Sequence, residues 1–370
     1  MLTPPESIPP DELGEELIMK IWNFGIVGAG LIADFHARAI GDLPNARLVG
    51  VCGKGPKRAQ EMARRYSCRA FADFHELVGD PEIDVVSIAT PSGAHLEPTA
   101  AAAAAQKHVI CEKPLEITLE RIDAMIAAHA KAGTMLGGIF QNRFNEALAP
   151  LREAVEAGRF GVITYAGVYV PWWRGDEYYR DSWHGTWQLD GGGALMNQSI
   201  HMIDMLCELM GPVESVQGLV GKRGHPQIEA EDTAVAVVRF AGGALGIIYG
   251  STASYPGQFK RFEITGTEGT VVYLEDSFSV WQFREEKPED YDIRRTFGQV
   301  KGPGGVADPA AITHENHTRN FRAFLDALEH DRDFTISGPE ARKSVALIRA
   351  IYQSAQEKRL VELDKNTWRI

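Results

Sequence analysis

Two side chains in this chain sit where they could do proton chemistry. Lys113 stands in CEKP, Cys111 to Pro114, directly after an apolar strand-like run. A lysine there can hold a hydroxyl oxygen by hydrogen bond and shifts its own pKa readily when buried, which suits proton transfer. The other reading of that position is a surface lysine paired with Glu112. His201 lies in GGGALMNQSIHMIDML, where Gly191 to Gly193 form a loop into a helix. On that helix Asn197, His201 and Asp204 fall on one face, while Leu195, Met196, Ile200, Ile203 and Leu206 pack elsewhere. A lone helical histidine is usually a core residue, but a polar stripe after a glycine loop makes His201 the candidate general base.

A third chemical signal comes from NFGIVGAGLIADFHARAI, residues 23–40, in which a strand-like run enters Gly28-Ala-Gly30-Leu31-Ile32-Ala33 and leaves as a helix. This is the dinucleotide fingerprint with alanine in the third small position: Gly28 for the tight turn, Gly30 for backbone approach to a pyrophosphate, Ala33 for close helix packing. Leu31 and Ile32 belong to the same turn. The second strand, RLVGVC, ends where an acid would hold the ribose of NAD, but the chain has Gly53, Lys54, Gly55, Pro56, Lys57 and Arg58 instead. Cations without a carboxylate favour NADP over NAD. ATPSGAH, with Thr90, Pro91 and His95, and CEKP, with Glu112 and Lys113, both follow strands, at the rim where open α/β sheets bind ligands.

The elements that must position these groups alternate up to about residue 145. Strand-like runs at 22–27, 48–52, 84–89, 108–111 and 135–140 interleave with helical patterns at 31–40, 57–66, 95–106 and 118–132, which predicts a parallel sheet covered on both faces. Beyond that point the pattern changes to one helix at 147–158, a strand at 161–170, a helix near 193–210 and five further strand-like runs between 213 and 274. The expected architecture is α/β: an N-terminal Rossmann domain, a doubly wound parallel sheet over 20–145, and a C-terminal α+β domain over 146–370 with a large open, mainly antiparallel sheet. Residues 1–19, acidic and proline-rich, read as a tail, and the helical patterns at 316–329 and 338–357 can cross back to the first domain.

A length of 370 residues and 44% hydrophobic content are enough to bury two cores. Four scattered cysteines without metal or disulfide spacing suit a reducing compartment. A net charge of −12 without a basic run excludes nucleic acid and anionic membranes as natural partners, and no signal or spanning segment is legible, so the cytoplasm is expected. HENH, His314 to His317, lacks HExxH spacing and opens a helix, so capping rather than metal binding is expected.

GAGLIA, TPSGAH, CEKP, QNRFN (Gln141 to Asn145) and GGGALMNQSIH together resemble the Gfo/Idh/MocA family of oxidoreductases over about residues 20–365. Within it, YYRDSWHGTW, GGGALMNQSIH and EAEDT look most like bacterial dehydrogenases that oxidise the C3 hydroxyl of UDP-N-acetylglucosaminuronate. The resemblance implies a nicotinamide cofactor, NADP or NAD, a sugar, sugar-derivative or sugar-nucleotide substrate, and active-site roles for Lys113 and His201. Many members carry Asp at Asn197; an amide can orient a hydroxyl but cannot take its proton, so Asn197 is assigned to substrate positioning.

The implied reaction moves a hydride between a sugar carbon and nicotinamide C4, with His201 as acid–base and Lys113 polarising the oxygen. Asn142, Arg143, Arg174 and Tyr179 complete the expected substrate set. Arg143 has a structural salt bridge as its alternative, and the aromatic segment Tyr169 to Trp183 has core or subunit packing as its own. Two rival functions are a redox-neutral, NAD-assisted glycoside lyase or hydrolase and a non-catalytic dinucleotide sensor. An open sheet face predicts a homodimer or homotetramer.

Overall fold

The computed structural model describes residues 20–299, 313–363 and 368, so the stretch 1–19 read as a tail lies outside the described residues. The first apolar run forms β1 (Trp22–Val27), followed by α1 (Leu31–Gly41). Between them Gly28 takes φ +134°, and a Cβ there would come within 2.4 Å of the Ala89 carbonyl oxygen, so the turn requires glycine. The chain continues through β2 (Ala46–Cys52), α2 (Pro56–Tyr66), β3 (Arg69–Ala70), α3 (Phe74–Gly79), β4 (Val85–Ile88) and α4 (Leu96–Ala104). It then forms β5 (His108–Cys111), α5 (Leu119–Ala132) and β6 (Leu136–Gly138).

These six strands make a parallel sheet in the order β3-β2-β1-β4-β5-β6. Phe24, Ile26, Val85, Val86, Ile88, Val109 and Ile110 are fully buried, the expected result when helices cover both faces. β3 and α3 are only two and six residues long, too short for periodicity to mark them.

The second half runs α6 (Leu148–Glu156), β7 (Ile163–Pro171), α7 (Asp176–Tyr179), a π-helical turn (Ala194–Ser199), α8 (Ile200–Met210) and β8 (Val213–Gly221). Next come β9 (Thr233–Phe240), β10 (Leu245–Ser251), β11 (Arg261–Gly266), β12 (Gly269–Leu274), β13 (Ser277–Phe283) and α9 (Pro288–Phe297). The last elements are α10 (Glu315–Glu329), α11 (Gly338–Glu357) and β14 (Val361–Glu362). Eight strands form a sheet ordered β13-β12-β11-β7-β10-β9-β8-β14, antiparallel except for the parallel β7–β10 pair. In β9, Ala234, Ala236, Val238 and Phe240 are buried, whereas Val235 and Val237 are exposed. One face therefore packs under α8 and α11 while the other is open.

The final helices return to the first sheet. Helix α10 packs on α1, with the Phe321 ring 5.8 Å from that of Phe24 and 5.3 Å from the His36 ring. The Gly138 amide donates to the Ile336 carbonyl at 2.7 Å, and α11 touches α5 and β6 on one side and α8 and β8 on the other. Among the described residues no helix is long and apolar enough to cross a membrane.

Because Phe321 is fully buried against Phe24 and His36 of the first domain, Phe321→Ala is expected to lower stability by about 3–5 kcal/mol. Urea unfolding measures this; a loss below about 1 kcal/mol would mean that α10 is not part of the first sheet's core.

Candidate active site

The turn Gly28 to Ile32 lies at the carboxyl end of β1, and a Cβ added at Gly30 would meet nothing within 4 Å. Leu31 and Ile32 are exposed there, while Ala33 is fully buried against the sheet. This open cradle ahead of the α1 N-terminus fits a dinucleotide pyrophosphate, since backbone N–H groups and the helix dipole favour an anion. Gly53 closes against the same turn: a Cβ there would come 2.9 Å from the Ala29 methyl. Lys54, Lys57 and Arg58 are exposed beside it.

Thr90 and Pro91 are half-buried at the end of β4. His95, expected on the cofactor side, is corrected. Its ring is buried, with Nδ1 facing the Pro114 and Leu115 carbonyls at 3.0 and 3.2 Å and Nε2 facing the Thr90 carbonyl at 3.0 Å. It ties the two rim loops together and offers no ring nitrogen to a ligand. Glu112 is corrected in the same sense, because its carboxylate turns inward. It accepts from His36 Nε2 at 3.0 Å and from the Lys113 amide at 3.0 Å, and lies 3.6 Å from His317 Nε2. Ser87 Oγ sits on His36 Nδ1 at 2.8 Å.

Against the desolvation that opposes its charge, hydrogen bonds and charge from His317 and His36 hold Glu112 well below the usual carboxylate range. These three buried groups bring possible ligand atoms within 4.8 Å of one another. They act as a polar buttress under Lys113. His317 thus belongs to this buttress, and His314 reaches Asp42 at 2.9 Å without capping α10, so the capping expected of HENH does not occur.

Lys113 crosses from the first sheet to the second domain. Its Nζ donates to the Asn197 carbonyl at 2.9 Å and to Asn197 Oδ1 at 3.4 Å. Burial lowers its pKa from 10.5, partly offset by the charges of Glu112 and Asp190. Asn197 sits in the π-helical turn, where sequence periodicity suggests ordinary helix; the wider winding is common at functional sites. Gly193 precedes this turn because a Cβ there would collide with the Glu231 carbonyl oxygen at 1.7 Å. The Glu231 carboxylate accepts from the Gly193 and Leu195 amides and from Tyr352 Oη at 3.0, 2.9 and 2.9 Å, so it clamps the glycine loop.

His201 follows at the start of α8, half-buried, its ring 5.9 Å from the Phe140 ring in an edge arrangement. Its Nδ1 is buried without a partner among the described residues. Burial, then the nearby Lys113 charge, push its pKa well below 6.5. The ring is therefore neutral near pH 7 and able to take a proton.

Asp204, the third member of the stripe, is spent elsewhere. It receives Arg143 Nε and Nη2 at 2.6 and 2.7 Å, and Arg143 also bonds Glu340 at 3.1 Å. Arg143 is buried and paired on every side, so it is corrected from substrate ligand to structural cation. Tyr179 is likewise corrected: it is buried and its hydroxyl donates to Thr252 Oγ1 at 2.8 Å. Arg174 is buried with Nη1 on the Trp173 carbonyl and its guanidinium 5.0 Å from the Trp172 ring centre. Asn142 is half-buried in the turn after β6.

Sequence reasoning does not single out Tyr178, His184 or Asp190. Asp190 Oδ1 accepts from Asn197 Nδ2 at 2.8 Å, His184 Nδ1 lies 3.3 Å from the same amide nitrogen, and Tyr178 stacks on His184 at 4.3 Å. The only signal for them is adjacency to the tryptophans and to the glycine loop.

Residues 22–139 match the oxidoreductase family with the NAD-binding Rossmann fold, and residues 148–272 match the GFO/IDH/MocA C-terminal domain. The chain is 31% identical to levoglucosan dehydrogenase of Pseudarthrobacter phenanthrenivorans, over 69% of this chain and 74% of that one. The chain belongs to the Gfo/Idh/MocA family of oxidoreductases. It is also 29% identical to myo-inositol 2-dehydrogenase of Thermotoga maritima, over 92% of this chain and 98% of the relative. The WlbA dehydrogenase of Bordetella pertussis, crystallised with NADH and UDP-GlcNAcA, superposes with a TM-score of 0.82 at 33% identity, covering 93% of this chain and 99% of that one. In this Gfo/Idh/MocA chain the two halves thus meet where Lys113 bonds Asn197, one helical turn before His201.

The two shifts fix the expected pH dependence. A neutral His201 is needed to accept a proton, so the acid-side fall of kcat/KM for alcohol oxidation should lie below pH 6.5. A protonated Lys113 is needed to donate a hydrogen bond, so the alkaline fall should lie below pH 10.5. A pH–rate profile checks both, and His201→Asn should abolish the acid limb.

Proposed function

We propose that the chain is an NAD(P)-dependent dehydrogenase or reductase acting on a secondary hydroxyl or ketone of a sugar, sugar derivative or sugar nucleotide. The observation that carries this reading is the Lys113–Asn197 contact, which brings the lysine of one half to the turn that leads into His201 in the other. A bound nicotinamide dinucleotide supplies the hydride acceptor or donor at its C4 carbon. Lys113 holds the substrate oxygen by a hydrogen bond from Nζ, stabilising the negative charge that grows there. In oxidation His201 takes the hydroxyl proton at Nε2 as the C–H bond gives up its hydride; in reduction it returns that proton.

NADP is favoured over NAD because exposed Lys54, Lys57 and Arg58 stand where a ribose-binding acid would be, and cations suit a 2′-phosphate. The relatives' sugars and cyclitols indicate the substrate class. The free cysteines Cys52, Cys68, Cys111 and Cys207 suit a reducing cytoplasm.

Native mass spectrometry for a retained dinucleotide, followed by a sugar and sugar-nucleotide screen with NAD and NADP, tests the assignment. Lys113→Met should bind cofactor as the wild type does and lose about 10²–10⁴-fold in kcat. Retention of activity would refute the role of Lys113. Reduced cofactor accumulating in step with product excludes redox-neutral elimination.

The open face of the second sheet carries Leu219, Val235 and Tyr249 in one cross-strand row and Val237 beside Ile247 in the next. Leu219 is 73% exposed and Val237 52%. A contiguous apolar face of this kind is proposed to be covered by a second copy of the chain, in a homodimer or homotetramer. Sedimentation should show no 40.7 kDa monomer at micromolar concentration. Val237→Lys with Leu219→Lys should release monomer.

A further inference from the structure

The crevice holds one more polar group that the hydride-transfer scheme leaves without a task. His184 is half-buried, stacked on Tyr178 at 4.3 Å and 7°, with the Trp183 ring tilted against it at 4.1 Å and 45°. Tyr178 is in turn held by Gln198 Nε2 on its hydroxyl at 3.1 Å, so the imidazole is clamped on a fixed aromatic wall. Its Nδ1 faces Asn197 Nδ2 at 3.3 Å and lies 3.9 Å from Asp190 Oδ2. Its Nε2 has no partner among the described residues and is not shut off from solvent.

The state of this ring follows from its neighbours. An ammonium only donates, so the Asn197 atom facing Lys113 Nζ is the oxygen; a carboxylate only accepts, so the atom facing Asp190 at 2.8 Å is the NH₂ group. With both ends assigned, the amide cannot be flipped. One Nδ2 hydrogen goes to Asp190, and the second points at His184 Nδ1, which must accept it. A proton on Nδ1 would set two donors against each other. The ring proton therefore sits on Nε2, directed away from Asn197 and the buried Asp190.

We propose that His184 is a specificity-determining donor. Its Nε2–H grips a substrate oxygen close to the one held by Lys113, and Asn197 sets the spacing because its amide bonds both side chains. The inference rests on the sugar oxidoreductase reading above and extends it: the preferred substrate carries a hydrogen-bond acceptor, a hydroxyl or carbonyl oxygen, near the reacting carbon. His184 makes this contact in ground state and transition state alike, so its loss weakens substrate binding far more than turnover.

The tautomer is measured without any substrate. Long-range ¹H–¹⁵N correlation spectra of ¹⁵N-histidine-labelled protein, with His184→Gln for assignment, should show His184 protonated at Nε2 in the neutral form. Protonation at Nδ1 would overturn the proposal. Asn197→Asp removes the donor facing Nδ1, and the His184 proton should then move to Nδ1; an unchanged Nε2–H signal would show that Asn197 does not set the tautomer.

The contact itself is measured by steady-state kinetics with UDP-N-acetylglucosaminuronate, levoglucosan and myo-inositol as probe substrates. His184→Ala should raise KM about tenfold or more while kcat stays within about threefold, the consequence of losing one uniform hydrogen bond. His184→Gln, which keeps a neutral donor near Nε2, should recover most of the lost affinity. An unchanged KM in His184→Ala, or a Gln variant as poor as Ala, would overturn the contact. No turnover of any probe by the wild type would refute the sugar reading and the contact with it, whereas the tautomer result would stand on its own.

Discussion

One hydrogen-bonded ammonium joins the two halves of this protein at the place where chemistry is proposed. Lys113 leaves the rim of the parallel sheet and ends on the backbone carbonyl and side-chain oxygen of Asn197, in the π-helical turn over the second sheet. A buried cation is tolerated only where acceptors and opposite charge surround it. Here the acceptors come from Asn197, while Glu112 and Asp190 supply the charge. The crevice geometry follows from that requirement, since both walls must hold still for the ammonium to be satisfied.

The supports behind each wall are polar and buried. On the first side, Glu112 is locked by His36 and faced by His317, which arrives on α10 from nearly the other end of the chain. On the second, Glu231 clamps the glycine loop with help from Tyr352 of α11, and Asp190 clamps Asn197. The C-terminal helices therefore contribute to both walls at once, and buried hydrogen bonds in a low-dielectric interior rigidify the groups they join.

Much of this site is legible in the order of the residues alone. The glycine spacing, the alternation of strands and helices and the placement of CEKP after a strand mark the cofactor cradle and Lys113, because those patterns express local backbone requirements. The stripe of Asn197, His201 and Asp204 is also legible, although one member proves to be a partner of Arg143. His95, Glu112, Arg143 and Tyr179 mislead for a common reason. Each has the chemistry of a ligand-binding residue, but whether its polar atoms face a crevice or a buried neighbour depends on partners on other elements: the rim-loop carbonyls, His317, Asp204 and Thr252.

The sequence by itself determined the alternating strands and helices of the first sheet and the glycine turn after β1. These follow from short-range sterics and periodicity, which act over a few residues. Only the tertiary structure decided which carboxylates were already spoken for, that His184 and Asp190 meet at Asn197, and that burial pushes the His201 pKa down. Those outcomes depend on desolvation and on hydrogen bonds between distant segments, and such energies exist only once the two sheets are packed together.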